Sequence, residues 1–259
     1  MTERKYCRVE DEGRVRVVTI NRPEVMNALH SDASHELAKV WDEFAARDDL
    51  WVGIITGAGE RAFSAGNDLK VQAAGRRGPR PPSGFAGLTS RFDLDKPLIA
   101  AVNGIAMGGG FETALACDII IAAENAIFAL PEPRVGLIAG AGGVHRLPRI
   151  IPEKQALGMM LTGRRVSARE GKELGFVTET VPAGEALTAA KRWAGMVLEC
   201  SPKAVRASKQ AYYRGLGEPT LEQAIGTVYP AQQENLDSED YIEGPRAFAE
   251  KRKPNWQNR

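Results

Sequence analysis

Four short apolar segments stand out when hydrophobic and polar positions are followed along the chain. They are Val15–Ile20, 51–56, Leu98–Val102 and Ile119–Ala123, and each is followed by glycine or a polar residue. Runs of this length, rich in β-branched residues, are typical of buried strands. Stretches with the apolar spacing of a helix lie between several of these strands, and this alternation predicts an α/β domain.

Residues 31–46 show the clearest helical spacing. Their apolar positions recur every three or four residues, which predicts one buried face on a helix. We expect Ser31 or Asp32 to cap its first turn. The residues predicted to face the core are Leu37, Val40, Trp41 and Phe44.

The strand pattern stops after residue 200. Ser201 and Pro202 form a typical N-cap and first helical position, and two or three further helical segments follow. We therefore predict a core domain over 1–200 and a helical region over 201–259. The second region is too short and too charged to hold a large core of its own, so we expect it to pack on the core domain or on a neighbouring subunit.

Residues 71–90 are dense in glycine, proline and arginine and have no period. This composition predicts a mobile loop. Two interpretations stay open: a surface insertion, or a lid beside a functional site. The position directly after a motif of small residues at 63–69 favours the lid.

Composition narrows the class of protein. The chain has 259 residues, 43% of them hydrophobic and 26% charged, with a net charge of +1. Such a balance is typical of globular proteins and gives no global attraction to nucleic acid or an anionic membrane. Three scattered cysteines favour a reducing compartment, and no metal-ligand spacing is present. With no secretory signal or membrane span, we expect a cytoplasmic protein.

The glycine triplet Gly108-Gly109-Gly110 precedes a predicted helix that starts near Phe111. Backbone N–H groups at a helix start lack partners, and without Cβ atoms a ligand oxygen can approach them. Tight packing of the helix on a strand would also require glycine, so both interpretations stay open. If the first is right, Gly109→Val should cause a large loss of turnover with little change in thermal stability.

A second run of small residues, 63–69, leads into another polar helix start. Two such openings could each offer one N–H to the same carbonyl oxygen. Paired donors of this kind stabilise the enolate that forms from a thioester.

Two carboxylates lie near these glycines in the sequence. Glu112 follows the triplet, and Glu132 stands between Pro131 and Pro133, which we expect to hold the backbone extended. A helix and its returning strand can bring the two to one pocket, where different surroundings would divide acid and base roles. Taken singly, Glu112 is better explained as an acid that complements the helix dipole, and Glu132 as an ordinary loop acid.

Other candidate motifs are weaker. The sequence at 56–59 lacks the further glycine of a dinucleotide loop. Ser64 has no histidine-based context for nucleophilic catalysis, and we expect His145 to have a structural role at a helix start.

The segments FSAGNDL, NGIAMGGGFETALACD, FALPEPRVGL, GAGGVHRLPR and LTGRR, in that order, resemble the enoyl-CoA hydratase (crotonase) family. The resemblance covers nearly the whole chain. It implies a spiral of ββα units with a C-terminal helical region that assembles a homotrimer or a dimer of trimers. It also implies reversible syn hydration of a 2-enoyl-CoA to a 3-hydroxyacyl-CoA, without a metal or redox cofactor, since CoA is part of the substrate.

The resemblance also implies roles for particular residues. The backbone N–H groups of Asn67 and Gly109 would form the oxyanion hole, Glu112 would act as base on water, and Glu132 would deliver a proton to the α-carbon. Phe248 and Lys251 match positions that contact CoA bound to a neighbouring subunit. The remaining residues expected to line the CoA site are Ala28, Leu29, Ala65, Asp68, Leu69 and Lys70.

Several motifs are similar to those of carnitinyl-CoA dehydratases within this family, although Asn67 stands where that group is expected to carry tryptophan. Three alternatives to a general hydratase stay open. They are a carnitinyl-CoA dehydratase, a Δ3,Δ2-enoyl-CoA isomerase that uses one carboxylate, and an RNA-binding or non-catalytic member of the family. Retention of both glutamates favours hydration over isomerisation.

Overall fold

The computed structural model describes residues 4–76 and 78–259. In this part of the chain two sheets are formed by ten strands: β1 (Cys7–Glu12), β2 (Val15–Ile20), β3 (Val52–Gly57), β4 (Ala62–Ser64), β5 (Leu98–Val102), β6 (Ile105–Met107), β7 (Ile119–Ala123), β8 (Ile127–Ala129), β9 (Val166–Ser167) and β10 (Glu179–Val181). Three of the four predicted strands have the predicted bounds. The strand predicted at 51–56 begins and ends one residue later.

The same residues form eleven α-helices: α1 (Ser31–Ala46), α2 (Leu69–Ala73), α3 (Gly109–Leu115), α4 (Gly143–Ile150), α5 (Glu153–Thr162), α6 (Ala168–Leu174), α7 (Ala186–Leu198), α8 (Pro202–Gly215), α9 (Leu221–Gly226), α10 (Pro230–Leu236) and α11 (Glu239–Ala249). Short 3₁₀ turns lie at Pro23–Val25, Phe85–Gly87 and Glu132–Val135.

The two sheets are built by a repeated ββα turn of the chain. The larger sheet has the order β1-β2-β3-β5-β7-β10, and the smaller one has the order β4-β6-β8-β9. The successive units β3-β4-α2 and β5-β6-α3, and then β7-β8, each place one strand in each sheet. Because β3, β5 and β7 are parallel neighbours, and β4, β6 and β8 are too, the chain advances as a spiral.

The core lies on both faces of the larger sheet. On one face α1 packs its predicted side chains Leu37, Val40, Trp41 and Phe44, all buried. On the other face α7 covers residues such as Ile54, Ile99 and Ile121. Burial on both faces explains why these strands read as continuous apolar runs.

The cap of α1 differs from the prediction. His30 occupies the N-cap position, and its ring nitrogen Nδ1 accepts a hydrogen bond from Ala33 N at 3.2 Å. Ser31 is already helical, and its hydroxyl donates to Pro79 O at 2.5 Å instead. The prediction of Ser31 or Asp32 as the cap was therefore wrong, because the hydroxyl is used to hold a neighbouring loop.

Residues 71–90 are only partly irregular, and Arg77 among them lies outside the described residues. The helix α2 continues to Ala73, and the 3₁₀ turn Phe85–Gly87 is buried. A Cβ added to Gly87 would lie 2.5 Å from the backbone of Ala38 in α1, so this turn is in close contact with that helix. The segment predicted as a mobile loop therefore ends in a buried turn that is part of the core.

Helices alone follow residue 201 in the described structure. Ser201 caps α8 by accepting a hydrogen bond from Ala204 N, as predicted. α8 is attached to the core through Lys209, which donates to Asp118 at 2.8 Å, and Gln210, which donates to Asp95 at 2.7 Å. Within the described part of the chain, none of the helices is long and apolar enough to cross a bilayer.

Candidate active site

The predicted site residues meet at one edge of the smaller sheet. Asn67 comes three residues after β4, Gly109 two residues after β6, and Glu132 three residues after β8. Because these three strands are parallel neighbours, their carboxyl ends lie side by side. Each ββα unit therefore delivers one of the predicted groups to the same place.

The two runs of small residues are in direct contact. Gly66 has a φ of +86°, and a Cβ built on it would lie 2.5 Å from Met107 O and 2.8 Å from Gly109 N. A side chain at position 66 would therefore separate the segments. Glycine at 66 allows the backbone of Asn67 to lie beside the start of α3.

The N–H of Asn67 points away from its neighbouring strand segment. Leu29 pairs with it as an isolated parallel bridge, in which Leu29 N donates to Gly66 O and Asp68 N donates to Leu29 O. In such a bridge the polar groups of Asn67 itself face the opposite side. Within residues 4–76 and 78–259, no hydrogen bond engages the backbone N–H of Asn67 or of Gly109. Two available donors thus lie on adjoining segments.

A side chain would not fit at any position of the triplet, for a different structural reason at each glycine. Gly108 has a φ of +51°, and a Cβ there would approach Glu132 Oε1 to 2.8 Å. A Cβ on Gly110 would collide with Ser64 O, and one on Gly109 would lie 2.7 Å from the buried ring of Phe85. The helix also begins at Gly109, two residues earlier than predicted. Because the Phe85 ring is part of the core, we expect a side chain at Gly109 to lower stability as well as turnover.

Glu112 is a buried carboxyl group, with 3% of its surface exposed. Its Oε1 accepts a hydrogen bond from Gly143 N at 2.8 Å, at the start of α4. Burial raises the pKa of Glu112 from 4.5 to about 7, and the nearby charge of Glu132 adds to the rise. The backbone N–H groups of Gly143 and Ala141 oppose it. At neutral pH this carboxyl is thus suited to accept and return a proton.

Glu132 opens a 3₁₀ turn, so the predicted extended backbone between Pro131 and Pro133 was wrong. The turn directs its carboxyl back toward Gly108. Burial raises the pKa of Glu132, and its Oε2 is buried without a hydrogen-bond partner in the described structure. A buried carboxyl oxygen without a partner favours the protonated form, which can act as an acid.

The other predicted residues divide into four groups. Ala28, Leu29 and Ala65 adjoin Asn67, with Ala65 N donating to Met26 O at 2.9 Å. Leu69 and Lys70 are exposed on α2.

Asp68 has a structural role in this chain. It caps α2 and forms a salt bridge with Arg22 at 3.1 Å. Phe248 and Lys251 lie at the end of α11, exposed, and no hydrogen bond or salt bridge joins them to the site segments in residues 4–76 and 78–259.

Four groups at the site were not assigned by sequence reasoning. Gly143 binds Glu112, Phe85 packs on Gly109, and Gln72 Oε1 accepts a hydrogen bond from Asn67 Nδ2 at 2.5 Å. The fourth, Arg80, lies with its guanidinium carbon 5.9 Å from the Phe85 ring. The glycine-rich run 140–143 was a usable signal for Gly143, whereas the others depend on the path of residues 71–90.

Ser64 has a structural role. It donates to Asn27 O at 2.8 Å and accepts from Gly66 N at 3.1 Å, so its hydroxyl fixes the turn before Asn67. His145 lies in the first turn of α4.

A spiral of ββα units that brings one buried and one half-buried carboxyl to a pair of available backbone N–H groups is the arrangement of a class of thioester enzymes. Residues 10–259 match the family model described as enoyl-CoA hydratase/isomerase, and the chain belongs to this family. It is 45% identical to a carnitinyl-CoA dehydratase of Escherichia coli, over 95% of this chain and 96% of that protein.

Solved structures agree in fold. An enoyl-CoA hydratase from Mycobacterium tuberculosis H37Rv has a TM-score of 0.92 at 38% identity, covering 98% of this chain and 99% of that one. A carnitinyl-CoA hydratase from Mycobacterium avium has a TM-score of 0.78 at 42% identity, covering 99% and 100%. The predictions of the family, its fold and an enzyme of CoA-thioester hydration or dehydration are confirmed.

Proposed function

We propose that this protein catalyses the reversible syn addition of water to a 2-enoyl-CoA, giving a 3-hydroxyacyl-CoA. The observation that carries the proposal is the convergence of Glu112 and Glu132 on the segment that bears the available N–H groups of Asn67 and Gly109. Hydration needs all of these groups, because water must be activated while negative charge on the thioester oxygen is stabilised.

In the proposed reaction the thioester oxygen accepts hydrogen bonds from Asn67 N and Gly109 N. Glu112 removes a proton from water, whose oxygen then bonds to C3 of the acyl group. The C2–C3 π electrons move onto the thioester as an enolate, which the two N–H groups stabilise. Glu132 gives its proton to C2, and a proton passes from Glu112 to Glu132 before the next turnover. Every step uses groups of this chain, and CoA enters as part of the substrate.

The proposed CoA site extends from the same edge of the small sheet. Ala28, Leu29 and Ala65 form the wall next to Asn67, and the exposed Lys70 supplies a cation for a phosphate of CoA. Asp68 acts through its salt bridge with Arg22, which fixes the backbone between Asn67 and α2. Leu69 supplies exposed apolar surface at the start of α2.

We further propose that the active form is a homotrimer or a dimer of trimers. The C-terminal helices of the single chain expose large apolar side chains, which is a common mark of a protein interface. In this assembly Phe248 and Lys251 would contact CoA bound to the neighbouring subunit. We propose a cytoplasmic enzyme without a nucleic-acid or membrane partner. The exposed apolar residues are Tyr212, Tyr213, Leu216, Leu221, Ile225 and Val228.

A second candidate is the same chemistry run as dehydration of carnitinyl-CoA, which the names of the relatives favour. The isomerase alternative needs only one carboxyl as a proton shuttle. The buried Oε2 of Glu132 supports a second acid in the reaction, and hence hydration.

The test is a panel of 2-enoyl-CoA thioesters of different lengths, with crotonobetainyl-CoA included, followed by loss of the conjugated enoyl absorbance. We expect hydration by the wild-type protein and a loss of about 10²–10⁴-fold in Glu112→Gln. If Glu112→Gln hydrates normally, the two-glutamate mechanism is wrong. If it keeps only isomerase activity, the isomerase alternative replaces it. Glu124→Gln, an exposed carboxyl between β7 and β8, is the matched control.

A further inference from the structure

Arg80 is an exposed cation beside the candidate site. Its side chain forms no salt bridge and no hydrogen bond within residues 4–76 and 78–259. The guanidinium carbon lies 5.9 Å from the centre of the Phe85 ring, and the same ring packs against Gly109. Arg80 is therefore separated from a proposed oxyanion donor by one aromatic side chain.

The backbone around Arg80 is held in place. Pro79 O accepts a hydrogen bond from Ser31 Oγ at 2.5 Å and interacts with His35 Nε2 at 3.2 Å, both on α1. Pro81 follows Arg80 directly and is buried, and its carbonyl accepts from Gly84 N at 2.8 Å. Prolines on both sides restrict the backbone further. An exposed arginine on a fixed backbone is pre-organised to meet a ligand.

The contacts of Phe85 place the cation near the start of α3, the helix that carries Glu112, because the same ring lies against Arg80 and Gly109. Burial raises the pKa of Glu112, and the charge of Arg80 is among the influences that lower it. In the proposed reaction Glu112 faces C3, so a group near it meets the acyl chain beyond the thioester rather than the sulfur.

We propose that Arg80 selects acyl groups that carry a carboxylate beyond C3, so that the preferred substrates are 2-enoyl-CoA thioesters of dicarboxylic acids. The proposal rests on the proposed hydratase function. Guanidinium and carboxylate form charge-assisted, often bidentate hydrogen bonds. The same cation disfavours an acyl group with a quaternary ammonium, which is the charge that a carnitinyl group carries.

The test compares three substrates: crotonyl-CoA, the pent-2-enedioyl (glutaconyl) thioester of CoA, and crotonobetainyl-CoA. We expect the wild-type kcat/KM to be highest for the carboxylate substrate. Arg80→Gln should lower the ratio of kcat/KM for the carboxylate substrate to kcat/KM for crotonyl-CoA about five- to tenfold, because any effect of the lost charge on Glu112 is shared by both substrates. Arg80→Lys should restore part of the loss. Arg76→Gln removes an exposed cation from the same loop and is the matched control.

An anion on the substrate could also be a phosphate of CoA. The N-acetylcysteamine thioesters of the crotonyl and pent-2-enedioyl groups lack these phosphates. We expect Arg80→Gln still to lower kcat/KM for the N-acetylcysteamine thioester of the pent-2-enedioyl group. If instead Arg80→Gln lowers kcat/KM equally for both CoA substrates and for neither N-acetylcysteamine thioester, Arg80 binds a phosphate and the proposal is wrong. Equal rates for all three CoA substrates would also overturn it. Failure to hydrate any enoyl-CoA would refute the proposed function itself.

Discussion

Replacing Glu112 by glutamine should stabilise the folded protein at neutral and alkaline pH while it removes activity. The buried carboxyl has a pKa of about 7, compared with 4.5 for an ordinary glutamate. Its ionisation therefore costs the folded state free energy that the unfolded chain does not lose. The two pKa values correspond to a difference of about 3 kcal/mol.

The sign of the pH dependence follows from the same two values. The folded protein holds the proton of Glu112 more tightly than the unfolded chain does. Its contribution to the free energy of unfolding therefore falls as pH rises from 4.5 to about 7, and is constant above that range. Glutamine stays neutral and keeps an oxygen that can accept from Gly143 N. The gain should be about 3 kcal/mol at pH 8 and under about 1 kcal/mol at pH 5.

The assay is denaturant unfolding of wild type and Glu112→Gln at pH 5, 6, 7 and 8, at one protein concentration so that assembly contributes equally. Glu124→Gln, on an exposed turn, should show no such trend. A loss of stability in Glu112→Gln that is the same at every pH would refute the reasoning. It would mean that packing and the hydrogen bond to Gly143, rather than burial of charge, determine how Glu112 affects the free energy of unfolding.

The remaining predictions concern the other parts of the site. Glu132→Gln should lower kcat by about 10²–10⁴-fold with the circular dichroism spectrum unchanged, and normal turnover would remove it as the acid. Gly109→Ala should lower both the melting temperature and turnover through the Phe85 ring, and its partial rescue by Phe85→Leu would confirm the contact, whereas an unchanged melting temperature would contradict it. Deletion after Glu243 should reduce the sedimentation coefficient, and a full-length protein that sediments as a monomer would refute the trimer. Gln72→Ala removes the hydrogen-bond acceptor of the Asn67 side-chain amide and should raise KM more than it lowers kcat. Gln72→Glu, which keeps an acceptor oxygen at this position, is the conservative comparison.

The fold could be predicted where the sequence pattern is local. Strands β2, β5 and β7 are almost entirely buried and rich in apolar residues, so their bounds can be predicted from local composition. The short strands of the small sheet could not be found this way. β4, β6 and β8 have three residues each, which is too short for a period to show. Their positions become clear only when parallel pairing aligns them.

The candidate glycines and glutamates of the site could be predicted from the sequence, but the residues that hold them in place could not. Glycine runs and nearby glutamates show in the sequence because backbone exposure and carboxyl chemistry demand those residue types. Gly143 supports Glu112 from 31 residues away in the sequence. Gln72 is close to Asn67 in the sequence, but its contact depends on how α2 is placed after the turn. Phe85 is the least predictable case, since nothing in a loop rich in glycine and proline indicates a buried ring. Contacts of this kind depend on tertiary packing, which overrides local preference.

The spiral has a consequence for how this chain could acquire new reactions. Each turn ends in one loop, and in the proposed mechanism each loop carries its own part of the chemistry, with anion binding after β4, anion binding and the base after β6, and the acid after β8. In the proposed mechanism, a mutation in the loop after β8 removes the group needed for hydration and leaves the enolate stabilised. Hydration and double-bond migration then differ by changes in a single loop. Evolution can then exchange one loop at a time on a scaffold that has already been selected for stability.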